Sequence, residues 1–321
     1  MKKEKIKLAL IGAGGMANSV HYPSLFEFSD VEMAGLCDLA EDKLKATAEK
    51  FRIKQTFADY RVMLDKTKPD AVYLLMPPHH LFDIAVECLN RKTHLFIEKP
   101  PGVTTEQTRN LARLAEKNKC LTMVGFQRRF CPLIREARKR VEARGPIIQC
   151  LARFVKNTVD AGPYYGGAID ILTCDAIHAV DTLRWMGGEV KKISSDVGNF
   201  YAEYDNAFNA LLKFETGAVG FLLTNWVVGK RIFSVEMHAK GISAFAEPDD
   251  KAVIYKDNKE EGDVFFTQEI AGSKDMHKYA GFFAENRHFI DCLKAGKQPL
   301  TNFSDALKTM ELVDRIYRSE I

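Results

Sequence analysis

A glycine-rich run near the amino terminus has the residue types and spacing that can bind the phosphates of a dinucleotide. The run consists of Gly12, Ala13, Gly14, Gly15, Met16 and Ala17. It follows an apolar strand pattern and begins a helical one. The backbone can therefore approach a pyrophosphate, while the amino end of the helix stabilises its charge. We predict that this loop binds a dinucleotide cofactor.

An acidic residue follows the loop at the distance expected for a ribose contact. Asp38 ends the second predicted strand, where its carboxylate can accept hydrogen bonds from the adenosine ribose hydroxyls. A 2'-phosphate would be repelled by Asp38 and would need a cation close by, but the first cation downstream is Lys43. The loop and this acid together predict NAD, rather than NADP, as the cofactor.

A lysine also occupies a position where doubly wound sheets bind ligands. The segment Glu98-Lys99-Pro100-Pro101 follows a strand pattern, which places Lys99 at the carboxyl end of a parallel strand. A lysine and a proline after a strand are also typical of a solvated turn. The position alone therefore leaves both interpretations open.

Strand and helix patterns alternate through the first third of the chain, and this alternation predicts a parallel sheet. The predicted strands are 6–11, 31–37, 71–76, 94–97 and 121–126, and the predicted helices are 41–51, 81–90, 105–118 and one from about residue 16. We expect an α/β fold in which residues 1–125 form a doubly wound Rossmann domain that binds NAD.

The pattern changes after residue 125, where longer strand patterns and hairpin turns such as Glu215-Thr216-Gly217 favour antiparallel pairing. Strands are predicted at 147–155, 207–214, 218–225, 233–238, 252–255 and 264–270, and helices at 132–143, 279–295 and 304–318. We expect residues 126–321 to form an α+β domain for substrate binding and oligomerisation, with an open, mainly antiparallel sheet and helices on one face.

Composition excludes several classes of protein. The 321 residues include 46 basic and 43 acidic ones, a net charge of +3 that favours neither nucleic acid nor an acidic tail. The seven cysteines are scattered without a Cys-x-x-Cys pair, so we expect reduced thiols and no metal site. The charged start, Met1 to Lys5, precedes too short an apolar run for a signal peptide or membrane span, which predicts a cytoplasmic protein.

Further motifs follow the glycine-rich loop in order along nearly the whole chain. They are His21-Tyr22-Pro23-Ser24-Leu25, Asp70 to Pro78, Glu98-Lys99-Pro100, Gly125 to Phe130, Gly166-Gly167, His178-Ala179-Val180-Asp181, and Phe289 to Pro299. Together they resemble the Gfo/Idh/MocA family, which includes glucose-fructose oxidoreductase and inositol dehydrogenase. The resemblance implies hydride transfer between nicotinamide and a hydroxyl carbon of a sugar, cyclitol or related polyol, in a homodimer or homotetramer.

The resemblance also implies roles for individual residues. By position, Lys99 binds the reacting oxygen and His178 acts as acid or base. An imidazole titrates near the working pH and an ammonium group favours a developing alkoxide, so neither role requires a metal. The further cofactor contacts that the family pattern implies are Pro77, Pro78, Glu98, Lys99 and Arg128.

The chain departs from the family pattern before the histidine. Many members have an Asp four residues earlier, but position 174 is Cys174 and the carboxylate is Asp175, three residues before His178. Both spacings share a helical face, so Asp175 can orient His178, with Asp170 as the competing partner and helix capping as the alternative role. Asp181 is expected to be structural.

Other departures and alternatives concern the substrate side. The family's Thr-Pro-Asn turn is replaced by Met76-Pro77-Pro78, and we interpret the following His79 and His80 as a surface pair at a helix start. Candidates to line a polyol site are Arg128, Arg129, Arg153, Tyr164, Tyr165, Asn225 and Trp226. The sequence leaves open a tightly bound, recycled NAD that drives elimination or epimerisation, and a non-catalytic NAD-binding regulator.

Overall fold

The computed structural model describes residues 5–318, which form two compact units. Among these residues, the first unit comprises 5–125, 276–278 and 282–307, and the second comprises 126–275, 279–281 and 308–318. Part of the carboxyl-terminal region therefore packs with the first unit, which a simple division after residue 125 does not capture. The first four residues of the charged start lie outside the described residues.

The first unit has a six-stranded parallel sheet in the order β3-β2-β1-β4-β5-β6. Its strands are β1 Ile6–Ile11, β2 Val31–Cys37, β3 Thr56–Phe57, β4 Ala71–Leu74, β5 His94–Glu98 and β6 Thr122–Gly125. Its crossover helices are α1 Tyr22–Glu27, α2 Glu41–Lys50, α3 Tyr60–Thr67, α4 Phe82–Asn90 and α5 Thr105–Lys117. The order reverses between β1 and β4, so the predicted Rossmann fold is confirmed.

The core of this unit follows from its strand composition. All four residues of β4 are buried, as are the last four of β1, because helices cover both faces of a parallel sheet. The ring of Phe289, from a carboxyl-terminal helix, lies 5.7 Å from the rings of Tyr73 and Phe96. This contact gives the physical reason why residues 282–307 belong to the first unit.

The second unit has an eight-stranded sheet in the order β14-β13-β12-β11-β7-β10-β9-β8. Its strands are β7 Gln149–Asn157, β8 Val190–Gly198, β9 Ala207–Phe214, β10 Val219–Asn225, β11 Val227–Ala239, β12 Ile242–Ala246, β13 Lys251–Lys256 and β14 Asp263–Phe266. The later helices of the chain are α6 Pro132–Glu142, α7 Ile177–Gly187, α8 Thr267–Ala271, α9 Met276–Tyr279, α10 Phe282–Ala295 and α11 Phe303–Arg318. Strands β7 and β10 pair in parallel and the other neighbours are antiparallel, which confirms the predicted α+β class.

One predicted strand is wrong in part. The segment 264–270 is a strand only to Phe266 and continues as helix α8. The residues Gln268 and Glu269 favour helix, and Gly272, with a φ of 61°, ends it in the left-handed conformation that glycine adopts without strain. Strands β8 and β12 were not predicted from the sequence.

Helices α6 and α7 pack on the sheet of the second unit. Along β7, Cys150, Ala152 and Phe154 are buried, whereas the alternate residues Leu151 and Arg153 are partly exposed. This alternation leaves one face of the sheet open within the unit. Among residues 5–318, no helix combines the length and apolar character needed to span a bilayer.

Candidate active site

The glycine-rich loop follows β1 and leads into helical turns that include a π-helical turn at Ala17–His21. Gly12 has a φ of 106°, and a Cβ atom there would overlap the carbonyl oxygen of Leu75, so only glycine fits. A Cβ atom at Gly14 or Gly15 would meet nothing within 4 Å. The backbone at these two positions is therefore open to a ligand at the start of the helical segment.

Asp38 links the end of β2 to this loop. Its Oδ2 accepts a hydrogen bond from the backbone N–H of Ala13 at 2.6 Å, and its Oδ1 accepts one from Ala40 at 2.8 Å. An ionised carboxylate has about four acceptor sites, so each oxygen keeps a lone pair for a further donor such as a ribose hydroxyl. Asp38 can thus fix the loop and bind a ribose at the same time.

A cavity of about 620 Å³ lies beside the loop in the first unit. It is lined by Ile11, Gly12, Gly14, Cys37, Asp38, Leu39, Lys43, Ala58, Asp59, Tyr60, Arg61, Leu75, Met76, Pro77 and Ile84. An open glycine backbone, a ribose acceptor and apolar walls suit the adenosine side of NAD. The cavity also has two cations: Lys43, which the sequence showed only as the first cation downstream of Asp38, and Arg61, which was not predicted to lie near it.

The remaining predicted loop and turn residues have different surroundings. Gly15 and Met16 are exposed, and Ala17 is buried, where a small residue lets the helix approach the strand. Pro78 is buried at the start of a 3₁₀ turn that ends at His80. The exposed rings of His79 and His80 lie 4.0 Å apart.

Lys99 directly follows β5 and is partly buried. Its backbone N–H donates to Glu98 Oε2 at 3.2 Å, and the Lys99-Pro100 peptide is cis. Glu98 Oε1 lies 2.6 Å from Nε2 of His21, and a Cβ atom at Gly125 would come 3.0 Å from the same oxygen. The Glu98 carboxylate, predicted to contact the cofactor, is therefore held by groups of the first unit.

His178 lies in α7 of the second unit and is 7% exposed. Three residues earlier, Asp175 accepts hydrogen bonds from Lys156 Nζ and, at 2.9 Å, from the hydroxyl of Tyr164. The indole N–H of Trp226 donates to that hydroxyl at 2.8 Å. Burial and the charge of Asp175 raise the pKa of Tyr164, which keeps its hydroxyl protonated as a donor.

The two other acids near α7 have structural partners. Asp170 accepts from the backbone N–H of Thr173 and from the hydroxyl of Tyr317, both at 2.8 Å, so capping belongs to Asp170 rather than to Asp175. Asp181, 1% exposed, accepts from Arg129 Nε at 2.7 Å. This buried ion pair engages one of the arginines considered for the substrate.

Arg128 is 5% exposed, and its guanidinium carbon lies 4.4 Å from the centre of the Phe233 ring. Within the described residues, its Nε and Nη1 have no hydrogen-bond partner. Burial lowers the pKa of this guanidinium, because the charged form is desolvated. Buried donors without acceptors are costly, so Arg128 is suited to an oxygen of a bound ligand.

The other residues considered for a polyol site lie at different places in the second unit. Arg153 lies on the open face of β7, on the opposite side from Phe154 and Lys156. Asn225 accepts from the backbone N–H of Val227 at 2.8 Å, and Tyr165 is 52% exposed. Lys156 was not among the residues predicted from the sequence. Strand alternation nevertheless places it on the helix-covered side of the sheet, where a buried cation needs an acidic partner.

Residues 5–318 contain no His, Cys, Asp or Glu cluster suited to a metal ion.

This chain is similar to known proteins along nearly its whole length. D-glucoside 3-dehydrogenase of Escherichia coli K12 is 26% identical over 361 residues, covering 99% of this chain and 96% of the relative. Myo-inositol 2-dehydrogenase of Thermotoga maritima is 24% identical, covering 94% of this chain and 92% of the relative. The structure of levoglucosan dehydrogenase with NADH and levoglucosan superposes with a TM-score of 0.86 at 17% identity, covering 98% and 97% of the two chains.

Two models of one family match successive parts of the chain. The model described as an oxidoreductase family with an NAD-binding Rossmann fold matches residues 6–126, which contain the glycine-rich loop, Asp38 and Lys99. The model of the Gfo/Idh/MocA C-terminal domain matches residues 156–242, which contain Asp175 and His178. The matches together span more than half of the sequence. This chain therefore belongs to the Gfo/Idh/MocA family of oxidoreductases with an NAD-binding Rossmann fold.

Proposed function

We propose that this enzyme transfers a hydride between NAD and a hydroxyl carbon of a sugar, cyclitol or related polyol. The observation that carries the proposal is the first-unit cavity, where an open glycine backbone lies beside the ribose acceptor Asp38. The relatives named for a glucoside, an inositol and levoglucosan support a polyhydroxylated substrate.

The residues of the loop fit the cofactor that the family implies. Gly14 and Gly15 would face the pyrophosphate at the start of the helical segment, and Asp38 would accept from the adenosine ribose. When bound, NAD supplies the group that accepts the hydride from the carbinol carbon. We assign the nicotinamide side to Pro77, Pro78, Glu98, Lys99 and Arg128, on family analogy.

The chain's own residues provide binding and proton transfer. Lys99 donates a hydrogen bond to the reacting oxygen and stabilises the negative charge that develops on it. His178 takes the hydroxyl proton during oxidation and returns it during reduction. Asp175 stabilises the protonated imidazole from three residues away, and Lys156 and Tyr164 fix the Asp175 carboxylate by hydrogen bonds.

The test compares Lys99→Met and His178→Asn with a matched control, Lys117→Met, at the exposed end of α5. By fluorescence titration, we expect His178→Asn to bind NAD like the wild type and Lys99→Met to bind it only slightly more weakly, through its lost contact on the nicotinamide side. We expect both variants to lose at least about 100-fold in kcat, because acid–base catalysis and charge stabilisation each contribute that much. The control should retain full activity. Turnover by the Lys99→Met/His178→Asn double variant at the wild-type rate would contradict the assignment.

The same panel of sugars and cyclitols distinguishes the alternative in which NAD is recycled. Net oxidation releases a ketone or lactone and one NADH per turnover. A recycled cofactor would give an isomerised or dehydrated product from enzyme that needs no added NAD. NAD binding without any product across the panel would favour a regulator.

We also propose that two copies associate through the open sheet face of the second unit. One row of neighbouring residues crosses the sheet: Ser194, Leu211, Phe221, Leu151, Glu236, Phe245, Val253 and Val264. Six of these eight residues are apolar, and Leu211 and Phe245 are 48% and 39% exposed; exposed apolar residues grouped in this way are typical of an interface. Sedimentation of Leu211→Glu/Phe245→Glu should show monomers where the wild type shows dimers or larger assemblies.

A further inference from the structure

A fully buried histidine in the first unit has no part in the hydride transfer proposed above. His21 ends the π-helical turn after the glycine-rich loop and is 0% exposed. The rings of Phe96 and Phe282 lie edge-on to it, at 5.3 and 5.6 Å, and the ring of Tyr73 lies at 6.4 Å. Burying an imidazole is favourable only when both ring nitrogens have partners.

The first partner fixes the proton on one ring nitrogen. The amide nitrogen of Asn286 donates to the carbonyl oxygen of Phe282 at 2.8 Å, so the amide oxygen must face His21 Nδ1, at 3.3 Å. The reverse orientation of the amide would bring two acceptor oxygens together. An amide oxygen only accepts, and His21 therefore has its proton on Nδ1.

The second partner then requires another proton. Nε2 of His21 lies 2.6 Å from Glu98 Oε1, and a contact this short between two acceptors would be repulsive. In a neutral imidazole that is protonated on Nδ1, Nε2 is a bare acceptor. One proton must therefore lie between Nε2 and Oε1, and the His21–Glu98 pair has no net charge. Burial raises the pKa of Tyr73, the other titratable group against the ring, so Tyr73 adds no charge.

The pair lies directly before the lysine of the proposed site. Oε2 of Glu98 accepts the backbone N–H of Lys99 at 3.2 Å. A chain of hydrogen bonds thus runs from Phe282 in α10 through Asn286, His21 and Glu98 to the backbone of Lys99. If the carboxylate lost its compensation by His21, its charge would lie one residue away from Lys99 and would attract the ammonium of that side chain.

We propose that His21 is a positioning residue: it holds Glu98 in a net-neutral, proton-sharing pair, which fixes Lys99 and leaves its ammonium directed to the reacting oxygen. This role rests on the proposed function of Lys99. It assigns His21 an electrostatic task in addition to its packing in the core.

A double-mutant cycle separates the electrostatic role from packing. His21→Gln keeps a neutral donor but leaves the Glu98 carboxylate uncompensated, whereas His21→Gln/Glu98→Gln pairs two neutral amides. We expect kcat to fall at least about 10-fold in His21→Gln, and the double variant to be at least about threefold faster than His21→Gln, because contacting residues show coupling of this size. The KM for the polyol should rise only in the single variant. Equal loss in both variants, with wild-type thermal stability, would overturn the proposal.

A measurement that does not depend on enzyme turnover can test the His21–Glu98 pair separately from the proposed function. Nitrogen-15 NMR of histidine-labelled enzyme at neutral pH should show His21 with a proton on Nδ1 and a hydrogen-bonded proton at Nε2, with the resonances assigned by their loss in His21→Gln. In Glu98→Gln, Nε2 should change to a bare acceptor. A ring without a proton on Nδ1 would refute the pairing even in an active enzyme. An enzyme with this pattern that oxidises no polyol would refute only the proposed function.

Discussion

Replacing Asp38 with alanine should shift the preference between the two nicotinamide dinucleotides towards NADP. A hydrogen bond from a ribose hydroxyl to a carboxylate contributes about 1.5–3 kcal/mol, so its loss should weaken NAD binding by about 10- to 150-fold. Two unit charges 4 Å apart repel by about 1 kcal/mol in water and by about 4 kcal/mol near a protein surface, and NADP escapes this repulsion in the variant. Lys43 and Arg61 line the same cavity, where Arg61 pairs with Glu87 at 2.8 Å, and the charges of both attract the 2'-phosphate.

The two effects sum to at least about 2.5 kcal/mol, which corresponds to a shift of about 60-fold in the ratio of the two dissociation constants. Isothermal titration of both dinucleotides measures this ratio directly. Asp42→Ala is the matched control, because Asp42 is exposed in the first turn of α2 and does not line the cavity. A wild-type ratio in Asp38→Ala would refute the placement of the ribose at Asp38.

Two further predictions concern stability. Gly12→Ala should lower the melting temperature, because a φ of 106° in a residue with a side chain costs about 1–3 kcal/mol, whereas Gly15→Ala, with open space around a Cβ, should not. Equal melting temperatures would contradict this. The hydrogen bond from Arg287, 2.8 Å away, holds the pKa of the partly exposed Asp30 below its ordinary value, so its stabilisation is complete above about pH 4 and is lost as pH falls further. Asp30→Asn should therefore cost about 1 kcal/mol at pH 7 in urea unfolding, after allowance for solvent screening, and the difference should shrink steadily as pH falls below about 4. A difference that persists in acid would show that the ion pair is not the cause.

Local patterns predicted the parts of the fold whose residues are close in sequence. The alternation of strand and helix, the glycine-rich loop and Asp38 all lie within one supersecondary unit, where spacing determines position. Strand β3 has only two residues and gave no pattern of its own. The prediction for 264–270 failed because its apolar residues match a strand, while the helix formers and the glycine after them decide the structure.

The sequence alone could not predict which distant residues contact the residues of the candidate site. His21 and Asn286 are 265 positions apart in the sequence. Helix α10 packs with the first unit through tertiary contacts, and no local sequence pattern predicts such contacts. The partners of Asp175 come from β7 and from the turn that contains Tyr164, so spacing along α7 alone could not identify them. The family resemblance identified candidate site residues in the sequence, and the structure shows which residues contact them.

Isotope transfer tests the central claim most directly. A polyol deuterated at each carbinol carbon is incubated with enzyme and NAD, and the cofactor is then analysed by mass spectrometry and NMR. The account predicts that deuterium from one carbinol carbon appears at C4 of the nicotinamide with wild-type enzyme and with Lys117→Met, but not with Lys99→Met or His178→Asn. Consumption of the polyol without deuterium at C4, or transfer that persists in both site variants, would contradict it.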